Sequence, residues 1–150
     1  MARATELAME NVRSGKGGPF AAVVVKEGRV VGEGTNAVTA TNDPTAHAEI
    51  GAIREACKAL GSFELSDCEI YANCEPCPMC LGAIYWARPA RIYFAANSGD
   101  AAKIGFDDVF IYEQLKKTAK GRKIPMVQLM RADALKVFRV WESKLDKVKY

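Results

Sequence analysis

A mixed α/β fold, one sheet with helices on both faces, is predicted for this 150-residue chain by three observations. Short apolar runs alternate with amphipathic segments along the whole length. The first two runs are separated only by the two-residue turn Glu27-Gly28, which closes an antiparallel hairpin. The third and fourth are separated by a helix-length segment, a crossover that implies parallel pairing. With 49% hydrophobic and 26% charged residues, the composition is that of an ordinary globular domain. A chain this long buries about two thirds of its unfolded surface, so one domain spanning residues 1–150 is expected.

Ala4, Leu7, Ala8 and Val12 share a helical face that ends at Ser14-Gly15, and Gly17-Gly18-Pro19 leads into a strand from Phe20 to Val25. After the turn, Arg29 to Thr35 is the second strand. Asp43 as N-cap and Pro44 at the first helical position predict a helix running to Leu60-Gly61. Cys68 to Asn73 reads as a third strand, Pro76 to Ala87 as a helix ending near Arg88-Pro89, and Arg91 to Ala96 as a fourth strand. Residues 97–123 read as loop plus one helix around Phe110 to Lys117. Ile124 to Met130 is expected to be a fifth strand, and Leu135, Phe138, Trp141, Leu145 and Val148 mark a terminal amphipathic helix. The sum is a three-layer α/β/α sandwich around a mixed five-stranded sheet.

The composition narrows the function classes. Arg3, Glu6, Glu10, Arg13 and Lys16 interrupt the first twenty residues, so no signal-peptide core is expected, nor a membrane span anywhere, and the cytoplasm is the expected compartment. Of five cysteines, Cys74, Cys77 and Cys80 fall within seven residues, which suits a metal site in a reducing compartment better than a disulfide framework. Cys57 and Cys68 read as small buried hydrophobes. The net charge of +3 divides unevenly, −5 over residues 1–115 and +8 over residues 116–150. The basic third reads as a solvated face of lysines, a contact for nucleic acid, or a surface docking onto an acidic partner subunit.

The chemistry is concentrated in two motifs. His47, the only histidine, stands in His47-Ala48-Glu49 near the start of one helix, and Pro76-Cys77-Pro78-Met79-Cys80 opens the next. Cys77 and Cys80 are three positions apart near a helix N-terminus, whose partial positive charge favours thiolates. One imidazole and two thiolates give three ligands to zinc. A structural site takes four, whereas a catalytic site leaves the fourth position to water. A zinc held this way activates water at neutral pH, and Glu49, not itself a ligand, is placed to move the protons. A lone Cys-x-x-Cys would equally fit a redox pair or a structural knuckle. His-x-Glu followed by Pro-Cys-x-x-Cys is the signature of zinc-dependent nucleobase deaminases. Cys74 as a fourth sulfur would close the shell and leave Glu49 without a task, and Glu75 reads as a cap or structural carboxylate.

On these residues the chain resembles the cytidine deaminase superfamily, and across nearly its whole length it is similar to the small bacterial guanine deaminases. The closer likeness lies in Gly17-Gly18-Pro19-Phe20, Asn42 to Glu49, Cys74 to Pro89, Gly105-Phe106-Asp107-Asp108 and the ending in Tyr150. The resemblance implies a cytidine deaminase-like fold and hydrolysis of guanine, a small purine base, to xanthine and ammonia. It further implies that Asn36 hydrogen-bonds the purine, that the Ala48 backbone lies beside it, and that Phe20 and Phe106 wall the pocket. Asp108 is implied as a second catalytic carboxylate facing the leaving amine, and Tyr150 as a lid. Asn36 also fits a plain turn, the phenylalanines a plain core, and Asp107-Asp108 a helix cap. A homodimer with its C-terminal segment exchanged between subunits is implied as well. The runner-up is a tRNA adenosine deaminase, but that family's Lys-x-Gly-Ala-Ala-Gly-Ser type segment is replaced here by Asn97-Ser98-Gly99-Asp100-Ala101-Ala102-Lys103-Ile104-Gly105, so a nucleic-acid substrate is not expected. Nucleoside or pterin deamination is possible on the same scaffold, and a non-catalytic zinc module is disfavoured by the intact Glu49.

Overall fold

A computed structural model describes residues 1–106 and 108–149. The chain divides into two compact units, Met1–Ile111 and Tyr112–Tyr150. In the first unit, helix α1 (Ala2–Arg13) is followed by strands β1 (Ala21–Lys26) and β2 (Arg29–Thr35). Glu27 and Gly28 both take positive φ, 49° and 76°, the geometry of a tight two-residue hairpin. A single turn, α2 (Val38–Thr41), precedes helix α3 (Ala48–Leu60). Strand β3 (Cys68–Cys74), helix α4 (Pro78–Ala87), strand β4 (Arg91–Ala96) and helix α5 (Ser98–Lys103) complete it.

The sheet order is β2-β1-β3-β4, antiparallel except for the parallel β3–β4 pair that the α4 crossover joins. Alternation along the strands gives each face its own cover. Ala22, Val24, Ile70 and Ala72 pack with Ala48, Ala52 and Ala56 of α3 and with Ile84 and Ala87 of α4 in one buried cluster. Ala21 and Val23 point the other way, to the face where α1 buries Ala4 and Ala8 and its Arg3 pairs with Glu33 of β2 at 2.7 Å. Helix α3 presses directly on β2. A Cβ at Gly34 would lie 2.0 Å from the Ala48 carbonyl oxygen, and one at Gly32 would lie 2.4 Å from that of Ala52. Only glycine allows that approach, which holds the first turn of α3 against the sheet.

Four strands, not five, form the sheet among the described residues. Ile124 to Met130 carries no strand pairing: Met130 takes a left-handed φ of 51°, and a strand needs an edge to bond, whereas no other strand is found among the described residues of the second unit. That unit holds most of α6 (Val109–Lys116), a 3-10 turn (Ala119–Gly121) and α7 (Arg131–Ser143). Residues 97–123 thus contain two α-helices rather than one. The helix expected from Asp43 begins at Ala48 instead. Asp43 closes an Asx turn, accepting from Thr45 N–H at 2.8 Å and from its hydroxyl at 2.7 Å, and that turn diverts the chain before the helix starts. The next helix likewise begins at Pro78 rather than Pro76. No helix among the described residues is long and apolar enough to cross a membrane.

Candidate active site

The later helix starts make both motif leaders N-cap residues. His47 is the extended N-cap of α3 (φ −80°, ψ 156°), with Glu49 in the first turn. Cys77 is the extended N-cap of α4 (φ −65°, ψ 167°), followed by Pro78, whose fixed φ suits a first helical position. Cys80 therefore lies one turn in, on the same side as Cys77. The approach to α4 is pinned to the neighbouring strand end: Glu75 N–H donates to the Ala96 carbonyl at 2.8 Å, and the Glu75 carboxylate accepts from Ser98 N–H at 2.9 Å. Glu75 is thus a structural carboxylate, although it also lines the cavity described below.

These two helix starts meet although 30 residues separate their leaders. His47 Nδ1 lies 3.5 Å from Cys77 Sγ and 3.5 Å from Cys80 Sγ, and the donor atoms of the three residues all fall within 4.8 Å of one another. For zinc bonded to sulfur at about 2.3 Å and nitrogen at about 2.0–2.1 Å, a tetrahedral N–S edge is about 3.6 Å. The donor set fits that ion in both chemistry and spacing. The hydrogen bond from the Cys80 thiol, together with the His47 imidazole, pulls the Cys77 thiol down to about 4. That pairing and burial push the Cys80 thiol up, and the hydrogen bond with Cys77 raises His47. Two sulfurs and an imidazole sharing protons this closely are a site poised to release them to a cation. Cys74 stands apart: its sulfur contacts the Asn97 carbonyl at 3.9 Å, and burial raises its thiol, as expected of a neutral side chain.

Glu49 is 8% exposed, and its carboxylate accepts from Cys80 Sγ at 3.4 Å. Burial pushes its carboxyl up. It opens, with His47 and Cys77, onto a cavity of about 480 Å³. The same cavity gathers Phe20, Asn36, Ala48, Phe106 and Asp108, every candidate substrate or catalytic residue among the described ones. Phe20 and Phe106 meet edge to face, centroids 4.8 Å apart at 87°, so they form one aromatic wall rather than separate core residues. Tyr150 lies outside the described residues. Two residues without a motif of their own also build the site. Asn73 accepts from Ala21 N–H and donates to the Pro19 carbonyl, both at 2.8 Å, fixing the chain on either side of Phe20. Asn11 donates from Nδ2 to the Gly18 and Asn36 carbonyls, at 2.9 and 2.8 Å. An asparagine in a strand or helix interior is the only trace they leave in the sequence.

The profile of the cytidine and deoxycytidylate deaminase zinc-binding region matches residues 1–96. The guanine deaminase of Bacillus subtilis is 54% identical over 148 residues, covering 99% of this chain and 95% of that one. Its X-ray structure superposes with a TM-score of 0.97. The structure of a guanine deaminase from Nitrosomonas europaea matches 71% of this chain and 62% of its own at 37% identity and a TM-score of 0.68. The tRNA-specific adenosine deaminase of Agrobacterium fabrum is 45% identical but over 89 residues only, 58% of this chain and 59% of its own. The fold, the His47-Cys77-Cys80 zinc site and these likenesses agree: the chain belongs to the zinc-dependent cytidine and deoxycytidylate deaminase family.

Proposed function

We propose that this deaminase hydrolyses guanine to xanthine and ammonia. One observation carries the chemistry: Glu49, a buried carboxyl outside the donor set, opens onto the same cavity as His47 and Cys77. The choice of guanine rests on the full-length likeness to the Bacillus subtilis enzyme. His47, Cys77 and Cys80 hold the zinc. The ion supplies Lewis acidity that activates water at neutral pH. Glu49 takes the proton that water loses as its oxygen bonds the amine-bearing carbon and delivers it to the adjacent ring nitrogen, then takes the proton of the new hydroxyl and gives it to the amine as the C–N bond breaks and the carbonyl forms. Asp108, on the same cavity, holds the leaving amine by its N–H groups. Phe20 and Phe106 confine the base, the Asn36 amide hydrogen-bonds its edge, and the Ala48 backbone lies beside it. Free thiols at all five cysteines suit a reducing cytoplasm.

Ammonia release tests the substrate. Guanine is expected to be turned over far faster than cytosine, cytidine, adenine or the adenosine of a tRNA anticodon loop. A preference for tRNA that falls steeply with salt would instead give the basic third of the chain a phosphate-binding purpose and overturn the reading.

We further propose one catalytic domain completed by a second copy of the chain, each C-terminal segment docking on its partner. The supports are the opposite charges of residues 1–115 and 116–150, and the exposed Trp86 and Phe94 in the first unit and Phe138 and Trp141 in the second. Tyr150 then covers the purine and excludes water. Deleting Val148 to Tyr150 is expected to lower kcat/KM at least about 10-fold with zinc content and melting temperature little changed. Refolding a mixture of that variant with Glu49→Gln should restore activity through heterodimers, whereas a mixture that stays inactive rules out the exchange.

A further inference from the structure

Three polar or charged side chains are buried among the described residues: Asn36, Glu49 and Asn11. The first two line the cavity, whereas Asn11, on α1 and only 5% exposed, sits behind its wall. Asn11 Nδ2 donates to the Gly18 carbonyl at 2.9 Å and to the Asn36 carbonyl at 2.8 Å, using both N–H groups of its amide. The two carbonyls belong to different segments, the strap before β1 and the end of β2. The strap lies flat on Asn36, since a Cβ at Gly17 would fall 2.0 Å from the Asn36 carbonyl oxygen and 3.0 Å from Asn11 Nδ2. Gly18 N–H in turn donates to Asn36 Oδ1 at 3.3 Å. A backbone N–H can only donate, so it selects the oxygen end of that amide and leaves Nδ2 as the donor end.

We infer that Asn11 is a positioning residue for substrate recognition: by clamping the Gly18 and Asn36 carbonyls together, it fixes the strap whose N–H orients the Asn36 amide. This rests on the proposed role of Asn36 in binding the purine edge. Oriented so, Asn36 offers N–H donors to acceptor atoms of the base, its ring nitrogens or carbonyl oxygen. Without the clamp, the buried Asn36 carbonyl and the half-buried Gly18 carbonyl lose these donors, the strap is free to shift, and the amide is free to turn over. The loss falls on substrate affinity, because neither the donor set nor Glu49 touches Asn11.

The test uses the zinc-loaded full chain carrying Asn11→Ala or Asn11→Asp, each alone and combined with Asn36→Ala. In Asn11→Ala, KM for guanine is expected to rise about 10-fold with kcat within about 3-fold. With Asn36→Ala already present, the same change should alter KM by less than about 2-fold, since the two residues act as one unit. Asn11→Asp, which sets an oxygen against both carbonyls, should be the more severe; if it does not fold, Asn11→Ala carries the test. Hydrogen exchange at the Gly18 amide provides a readout independent of turnover and should quicken while the rest of α1 stays protected. An equal KM penalty in both backgrounds, or a lowered melting temperature with unchanged KM, reduces Asn11 to a tie between helix and sheet. Should the native chain leave guanine untouched, the substrate reading fails by itself, and unchanged protection at Gly18 in Asn11→Ala would then sink the inference separately.

Discussion

Glu49→Gln is expected to fold, to keep one zinc per chain, and to lose about 10²- to 10⁴-fold in kcat, the usual worth of a positioned acid–base group. The amide has nearly the shape of the carboxyl, so the packing that leaves Glu49 8% exposed is preserved. What it cannot do is take up a proton and give it back. The defect should therefore appear in kcat with KM little changed, the mark of an interaction made in the transition state. Asp108→Asn should cost less, because an amide oxygen still accepts from a leaving amine. Steady-state kinetics by ammonia release, beside elemental analysis of the same preparations, checks both. Near-normal turnover in zinc-loaded Glu49→Gln would remove Glu49 from the mechanism.

His47→Ala, Cys77→Ala and Cys80→Ala are each expected to abolish both zinc and activity. The three donor atoms lie within 4.8 Å of one another, and removing any one leaves too few ligands to hold the ion against water. Cys74→Ala is the contrasting case and should retain zinc, because Cys74 contacts the Asn97 carbonyl and stands outside the donor group. Zinc content per chain distinguishes the two classes. If Cys74→Ala also stripped the metal, and the bound zinc proved to have four protein ligands and no water, the site would be structural and the deaminase chemistry would have no place to occur.

The donor residues were legible in the sequence because each motif is local. His47 and Glu49 stand two apart at one helix start, as its extended N-cap and first turn, and Cys77 and Cys80 stand one turn apart at another, on the same side. The hairpin, the parallel β3–β4 pair and the covering helices were legible for the same reason, since turn chemistry and crossover length are short-range properties. The starts of α3 and α4 were not. Asp43-Pro44 satisfies every local rule for a helix start, yet its Asx turn with Thr45 and the close seating of Ala48 on Gly34 delay the helix until His47 can cap it. Nor was the missing fifth strand, because Ile124 to Met130 has the right residue types but no edge to bond within its own unit. The sequence by itself thus picked out the three donor residues that the fold groups together and the buried carboxyl beside them. Tertiary structure alone decided that Cys74 contacts the Asn97 carbonyl, that Phe20 and Phe106 form one wall, and that an asparagine on α1 stands behind the Asn36 amide. Those depend on contacts between residues from 23 to 86 positions apart in the chain, and no periodicity records how segments so separated come to lie at one end of a sheet.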